Sequence, residues 1–264
     1  MHTTLAQIDT VLITGASSGI GAAFARQLAN RGKNLILVAR REEALQALAA
    51  ELSARHGAKI HVIAADLARP AAAAALFAET ERRGLAVDLL INNAGFGKLG
   101  PFGELPFDVQ ADMVRVNVNS LLELSWLYLT GMRQRRRGGI INVASTAAFQ
   151  PVPYLAVYAA TKAFVLKLSE ALAEEVAAEG ITVLGLCPGD TATGFQAIAG
   201  TRVGQWGRTT TADEVVSAAL CAFDRGQSSF VHGFLNRAAA FVSSRLLPRR
   251  FVARMAGRWG GYGL

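Results

Sequence analysis

The chain has 264 residues, of which 52% are hydrophobic and 18% charged, so it can bury a sizeable core and is not a disordered protein. Its net charge is +7, but the arginines that supply much of it lie in two local clusters, 133–137 and 245–258. No nucleic-acid recognition motif accompanies these clusters, so we expect no nucleic-acid partner.

The N-terminus and the two cysteines set the expected compartment. The first ten residues contain no charged segment followed by an apolar run, so we expect no signal peptide. No apolar run of about 18 residues occurs, so we expect no membrane span and a cytoplasmic protein. Cys187 and Cys221 are too few for a disulfide framework or a metal cluster. We expect both to be buried, reduced thiols, and we expect no metal.

The first predicted unit is a strand at 10–13, the loop T-G-A-S-S-G-I-G at 14–21, and a helix. Gly15 allows a tight turn, Gly19 lets the backbone approach a pyrophosphate, and Gly21 lets helix and strand pack closely. The helix N-terminus offers free N–H groups and a positive dipole end to phosphate. The loop therefore predicts a dinucleotide site, with a simple glycine-rich turn as the alternative.

The second predicted strand, Asn34 to Ala39, ends at the place where such folds meet the adenosine ribose. An acidic residue there binds the 2′-hydroxyl of NAD, whereas a basic residue suits the 2′-phosphate of NADP. This chain has Ala39 followed by Arg40. The pattern predicts NADP(H), with a solvated arginine at a helix start as the alternative.

Strands and helices alternate through the first half of the chain. The expected elements are a helix at 42–56, a strand at 59–64 ending at Asp66-Leu67, a helix at 71–83 and a strand at 88–92 that runs into N-N-A-G. This alternation predicts an α/β, single-domain, Rossmann-type doubly wound parallel sheet of about seven strands with helices on both faces. Ligands then bind outside the carboxyl ends of the strands.

A long helix is predicted from Leu105 to Arg136. Asn117 and Asn119 interrupt its apolar stretch. Because asparagine is mildly unfavourable inside a helix, each of these residues is expected to have a specific reason to be there. A position on the helix surface is the alternative.

The stretch from Ile140 to Phe164 has the pattern of a proton-transfer site. A short buried strand ends at Ser145, and a helix then carries Tyr158 and Lys162. Residues four apart share one helix face. A neighbouring ammonium is expected to lower the pKa of the phenol, which is about 10 when unperturbed. Packing of the tyrosine and solvation of the lysine are the alternatives.

The last predicted elements follow a strand at 181–186. After it come C-P-G-D-T-A-T at 187–193, a helix at 212–224 and a strand from Ser229 to Phe234. We expect residues 1–236 to form one domain, with a mobile, partly apolar lid at 191–210 that includes Phe195, Ile198 and Trp206. Residues 237–264 form a basic amphipathic tail. Packing of this tail on the domain or on a partner subunit is favoured over peripheral membrane contact.

Together these motifs resemble the short-chain dehydrogenase/reductase family over roughly residues 8–235. The matching features occur in the family's order. They are T-G-x3-G-x-G at 14–21, N-N-A-G at 92–95, Asn117, Ser145, Y-x3-K at 158–162 and P-G-x3-T at 188–193.

The resemblance implies catalytic roles for four residues. Tyr158 is the general acid or base, and Lys162 lowers its pKa and binds the nicotinamide ribose. Ser145 orients the substrate oxygen, and Asn117 holds a water that links Lys162 to solvent.

The resemblance also implies a cofactor site along the strand ends. Its residues are Gly15, Ser17, Ser18, Gly19, Ile20, Gly21, Arg40, Asp66, Leu67, Asn93, Ala94, Gly95, Tyr158, Lys162, Pro188, Gly189, Thr191 and Thr193.

The function implied is NADP(H)-dependent interconversion of a carbonyl and an alcohol on a small to medium, apolar substrate. A homo-oligomer, either a dimer or a tetramer, is also implied. The chain continues for some thirty residues beyond the last strand, which departs from the simplest members and leans toward apolar ketones, alcohols, steroid-like or acyl groups. A non-catalytic NADP-binding regulatory or scaffold protein of the same fold is the alternative.

Overall fold

The computed structural model describes residues 2–202 and 209–259, with only the backbone described for residue 259. The strands in these ranges are β1 (Thr10–Thr14), β2 (Asn34–Ala39), β3 (Ile60–Ala64), β4 (Leu89–Asn92), β5 (Gly138–Val143), β6 (Ile181–Cys187), β7 (Thr191–Ala192), β8 (Thr210–Thr211) and β9 (Ser229–Val231). The α-helices are α1 (Gly19–Ala29), α2 (Glu42–His56), α3 (Ala72–Arg82), α4 (Phe107–Val114), α5 (Leu121–Arg135), α6 (Ala156–Val176), α7 (Phe195–Ala199), α8 (Ala212–Asp224), α9 (Phe234–Arg245) and α10 (Arg249–Trp259).

Seven strands form one parallel sheet in the order β3-β2-β1-β4-β5-β6-β9. The chain runs outward from β1 to β3 and then returns to β4 on the other side of β1. This reversal leaves a crevice at the carboxyl ends of β1 and β4, which is where such sheets bind ligands. The predicted fold class is confirmed.

The sheet is buried on both faces, which explains its nearly continuous apolar strands. Val11 and Ile13 pack into one core with α1, α2 and α8, whereas Leu12 packs into a second core with α3 and α5. Successive side chains of a strand point to opposite faces, so each strand supplies both cores.

The predicted helix from Leu105 to Arg136 differs from the structure in two ways. It begins at Phe107, directly after Pro106, whose fixed φ suits the residue before a helix start. Residues Arg115–Ser120 form a π-helical turn between α4 and α5 rather than α-helix. This turn contains both Asn117 and Asn119.

The last strand and the tail also differ from prediction. The strand expected to reach Phe234 ends at Val231, because Gly233 has φ of +89° and turns the chain into α9. The predicted boundary between residues 236 and 237 therefore falls inside α9. From Phe234 to Trp259 the chain forms two helices, with Pro248 in the turn between them.

The predicted lid at 191–210 contains β7, α7 and β8 in its described parts. Its predicted residue Trp206 lies outside the described residues. The expectation that both cysteines are buried was half wrong, since Cys187 is buried and Cys221 is exposed on α8. Among the helices that the structure describes, none is long and apolar enough to cross a membrane.

Candidate active site

The glycine loop is held in shape by Asn93, which follows β4. The Asn93 Nδ2 donates to the carbonyl oxygens of Thr14 at 2.9 Å and Gly15 at 3.2 Å. A side chain at Gly21 would collide with the Gly15 carbonyl and with the Asn93 amide. The Ser18 side chain does not cap α1. The Ser18 hydroxyl therefore does not accept a hydrogen bond from the backbone N–H groups of the first turn of α1.

Two arginines lie at the end of the crevice next to β2. Arg40 and Arg41 both line the cavity, and the Arg41 guanidinium donates to the Ser17 Oγ at 3.1 Å. Sequence reasoning selected Arg40 and passed over Arg41, although the basic pair was visible at the end of the second strand. At this end Asp66 also lines the cavity, and its Oδ1 accepts a hydrogen bond from the Ala68 N–H at 3.2 Å.

Ser145 and Tyr158 come together where β5 ends and α6 begins. The Ser145 Oγ accepts from the Ala147 N–H at 3.1 Å, which fixes the hydroxyl at the strand end. Burial raises the pKa of Tyr158 to about 12, and the Ser145 hydroxyl opposes this shift only partly. The expected lowering of the Tyr158 pKa is therefore wrong for this structure, because desolvation of the phenolate outweighs the favourable contacts.

Lys162 is buried beside the Tyr158 ring. Its Nζ lies 5.8 Å from the ring centroid and donates to the carbonyl oxygen of Val143 at 2.7 Å. Burial lowers the pKa of Lys162 to about 8. The ammonium is thus mostly charged at neutral pH and loses its charge within the mildly alkaline range.

Asn117 lies in the π-helical turn and is buried. Its Oδ1 accepts from the Phe96 N–H at 3.0 Å, and its Nδ2 donates to the Phe96 carbonyl at 2.9 Å and to the Thr161 Oγ1 at 3.0 Å. Both amide hydrogens are therefore used by the protein. A side chain at Gly95 would approach the Asn117 Oδ1 to 2.9 Å and the Lys162 Nζ to 3.3 Å, so these two polar groups flank one backbone position.

The end of the cavity beyond Tyr158 is mainly apolar. The Phe195 ring, from α7, lies 5.3 Å from the Tyr158 ring, and the Leu99 N–H donates to the Ala199 carbonyl at 2.8 Å. The sequence did not identify most of the residues that close this end, because they come from distant segments. They are Phe96, Gln150, Val152, Leu155, Thr201, Asn236, Ala239 and Ala240.

One cavity of about 750 Å³ joins the two ends. All predicted site residues line it except Asn117 and Gly21, which lie behind its wall. The segment that includes Pro188, Gly189 and Thr191 forms part of its wall, and the Thr193 side chain lies against Gly19. The fold thus brings the glycine-rich loop before α1, the two arginines after β2 and a Ser-Tyr-Lys cluster into one continuous site.

Comparison with known proteins establishes the family. A model of the short chain dehydrogenase family matches residues 9–202. The chain belongs to the short-chain dehydrogenase/reductase family. A short-chain dehydrogenase from Sphingobium yanoikuyae, solved in complex with NADPH, is 37% identical with a TM-score of 0.82. The similarity covers 90% of this chain and 94% of that one.

Two curated relatives are similar over a shorter part of the chain. A very-long-chain 3-oxoacyl-CoA reductase from Pyrenophora tritici-repentis is 40% identical over 176 residues, which are 65% of this chain and 52% of that protein. A 7β-hydroxysteroid dehydrogenase from Collinsella aerofaciens is 36% identical over 182 residues, or 69% and 68% of the two chains. The chain thus spans about half the length of the 3-oxoacyl-CoA reductase.

Proposed function

We propose that this short-chain dehydrogenase/reductase is an NADP(H)-dependent oxidoreductase that interconverts a carbonyl and an alcohol on a medium-sized apolar substrate. The observation that carries the proposal is the single cavity that joins Arg40 and Arg41 to Ser145, Tyr158 and Lys162. The similar structure with NADPH supports the choice of cofactor.

The residues present fit a dinucleotide phosphate. The backbone around Gly21 leaves no room for a Cβ, as expected where a loop must stay tight against a helix start. The α1 N-terminus lacks a side-chain cap and suits a pyrophosphate. Arg40 and Arg41 offer two guanidiniums to a 2′-phosphate, and Ala39 leaves no carboxylate to bind the 2′-hydroxyl instead.

The reacting end is arranged to stabilise charge on a substrate oxygen. When bound, a reduced nicotinamide supplies the hydride for carbonyl reduction. Tyr158, with its pKa raised to about 12, stays protonated at neutral pH and can donate its proton to the developing alkoxide. The Ser145 hydroxyl supplies a second donor at the same oxygen, so both act where charge develops. Lys162 adds positive charge behind the phenol.

The substrate class follows from the walls around Tyr158. Phe96, Val152, Leu155, Phe195 and Ile198 supply apolar surface, which disfavours small polar substrates. The named relatives are a very-long-chain 3-oxoacyl-CoA reductase and a 7β-hydroxysteroid dehydrogenase, and a very long acyl chain and a steroid nucleus are both large apolar groups. We therefore place the substrate among apolar ketones or the corresponding secondary alcohols.

The test is oxidation of NADPH in the presence of a ketone panel that includes an aryl ketone, a steroid ketone, a 3-oxoacyl thioester and a small polar ketone. Turnover should be fastest with one of the apolar ketones. Tyr158→Phe should lower the rate by about 10²–10⁴-fold while NADPH binding persists. Near wild-type turnover by Tyr158→Phe would reject the assignment of the acid. NADPH binding without turnover on any ketone or alcohol would instead favour the non-catalytic alternative.

A further inference from the structure

The C-terminal helices α9 and α10 carry an unusual charge balance. Asp224 is the last acidic residue of the chain, and the residues after it contain no lysine and seven arginines, of which all but Arg225 lie in α9 and α10. These seven arginines equal the whole net charge of +7, so the rest of the chain is neutral. Within the described part of the chain, no arginine from Arg237 onward forms an ion pair. This end of the molecule is therefore a concentrated, uncompensated cationic surface.

The same two helices expose large apolar side chains. The C-terminal patch consists of Phe234, Leu235, Phe241, Val242, Leu246, Leu247, Phe251 and Met255. Phe234 is 73% exposed and Leu246, in the turn between the helices, is 65% exposed. Exposure of several large apolar side chains on neighbouring elements is unfavourable in water and marks an interaction surface.

The inner faces of the two helices are already covered, α9 by the domain and α10 by α9. Ala240 of α9 and Val252 and Ala256 of α10 are buried, and α9 contacts the turn at 146–149. Ala240 lies on the inner stripe of α9 with the half-buried Asn236 and Ser243, whereas Phe234, Phe241 and Val242 lie outside that stripe and are exposed. The patch therefore faces away from the domain and is available to a binding partner or a surface outside the chain.

Arginines border this patch along both helices. Phe251 and Met255 are four residues apart and share one face of α10, and Arg250, Arg254 and Arg258 form the adjacent row. On α9, Arg245 lies one turn beyond Phe241. Apolar residues beside a row of cations are the pattern of a helix that lies in the plane of an anionic membrane surface.

We propose that the C-terminal patch docks this enzyme on the surface of an anionic lipid bilayer. The apolar side chains enter the headgroup region and the arginines bind the lipid phosphates and carboxylates. A second copy of the chain is a poor occupant, because a symmetric contact would bring two unpaired cationic surfaces together. Asn236, Ala239 and Ala240 of α9 line the catalytic cavity, so docking places the cavity beside the lipid from which an apolar substrate enters.

The experiment is co-flotation of the full chain with vesicles of phosphatidylcholine alone or mixed with phosphatidylserine. The chain should float with the anionic vesicles and stay in solution with the neutral ones. At about 1 M salt the Debye length falls to about 3 Å, so binding should drop sharply without any substitution. Equal binding to neutral and anionic vesicles, or no binding to either, would overturn the proposal.

Matched variants test the two components of the patch. Each cation near an anionic surface strengthens partitioning by about fivefold, so Arg249→Gln, Arg250→Gln and Arg254→Gln together should weaken binding by about 100-fold. The control removes the same charge elsewhere through Arg31→Gln, Arg55→Gln and Arg82→Gln, and it should bind like the unmodified chain.

The apolar component is tested by Phe241→Ser with Phe251→Ser, which should also abolish flotation. Its control is Phe102→Ser with Phe107→Ser, which removes two rings outside the patch that are even more exposed than Phe241 and Phe251. Circular dichroism shows whether each variant is folded. Flotation that survives both patch variants overturns the proposal. If the patch variants change only the sedimentation coefficient of the chain, the patch binds a second copy and the proposal is also wrong.

Discussion

Lys162 is the charged side chain whose burial most affects the stability of the site. Its pKa is lowered from 10.5 to about 8, and one pKa unit corresponds to about 1.4 kcal/mol, so burial of the ammonium costs about 3 kcal/mol at neutral pH. The hydrogen bond to the Val143 carbonyl offsets part of this cost. The proposed role of Lys162 therefore places a group that destabilises the fold in the site, which agrees with the common trade-off between stability and activity.

The first prediction is that Lys162→Met stabilises the protein at pH 7 by about 2 kcal/mol, measured by urea unfolding without added cofactor. Between pH 8 and 10.5 the folded protein binds fewer protons at Lys162 than the unfolded chain, so wild-type stability gains from rising pH. The advantage of the variant should therefore shrink through that window. Because burial raises the pKa values of Tyr158 and Cys187, both proteins lose stability at alkaline pH through these two groups. These losses largely cancel in the difference between wild type and variant. A variant that is less stable at pH 7 would contradict this account.

The second prediction concerns the choice of cofactor. Loss of one charge-assisted contact to phosphate costs about 1.5–3 kcal/mol, so Arg40→Ala should weaken NADPH binding by about 10–100-fold and leave NADH binding nearly unchanged. Arg41→Ala should also weaken NADPH binding, because Arg41 holds the Ser17 side chain of the glycine loop as well. Fluorescence titration of both cofactors measures the effect, with Arg31→Ala as the control. Tighter binding of NADH than NADPH by the unmodified chain would refute it.

At the scale of elements, the π-helical turn separates two asparagines that look alike in the sequence. Asn117 is buried and ties this turn to Phe96 and to Thr161 of α6, whereas Asn119 is exposed. π-helical turns in longer helices frequently occur at functional sites. Here the turn carries Asn117, whose amide connects the segment after β4 to α6, the helix that contains Tyr158.

The third prediction follows from this difference. Asn117→Ala removes three hydrogen bonds and leaves the Phe96 N–H and carbonyl unpaired, which should lower the free energy of unfolding by about 1–3 kcal/mol. Asn119→Ala, in the same turn but exposed, should stay within about 0.5 kcal/mol of wild type. Parallel urea unfolding of the two variants is the measurement. Equal losses of stability in the two variants would show that both substitutions disturb the π-helical turn itself, and that the hydrogen bonds of the buried amide are not the cause.

The sequence predicted regular elements where periodicity and end signals agree. The bounds of β2, α2 and α8 match their predictions, because glycine, charged or capping residues stand at their ends. Prediction from the sequence failed where contacts distant in the chain decide the local structure. Apolar pattern alone could not show the π-helical turn or the early end of β9, and the short pairing of β7 with β8 depends on a contact distant in sequence.

The candidate site divides in the same way. Motif residues such as Gly19, Tyr158 and Thr193, which were predicted from the glycine loop, the helix after β5 and the segment after β6, all line the cavity. The direction of the Tyr158 pKa shift was missed, because spacing reveals a neighbouring cation but not the extent of burial. Residues of the substrate end, such as Gln150 and Asn236, carry no local pattern. Their position depends on how α9 packs after the sheet is complete.

At the scale of the whole molecule, the exposed surface bears on the predicted homo-oligomer. A candidate contact surface lies on α5, where Leu122 and Trp126 are four residues apart on one face and Trp126 is 69% exposed. An exposed tryptophan of this kind is typical of interface centres.

The fourth prediction is that the chain associates through this face of α5, and that Trp126→Glu shifts it to a monomer in sedimentation velocity. A carboxylate buried at the centre of an interface without a partner costs several kcal/mol, which is enough to dissociate most dimers. NADPH affinity should be unchanged, because Trp126 is not among the residues that line the cavity. Phe251→Ser, in the C-terminal patch, is the control and should leave the assembly intact. If Trp126→Glu assembles like wild type while Phe251→Ser dissociates, the two surfaces have exchanged roles, and the C-terminal patch is the contact between subunits.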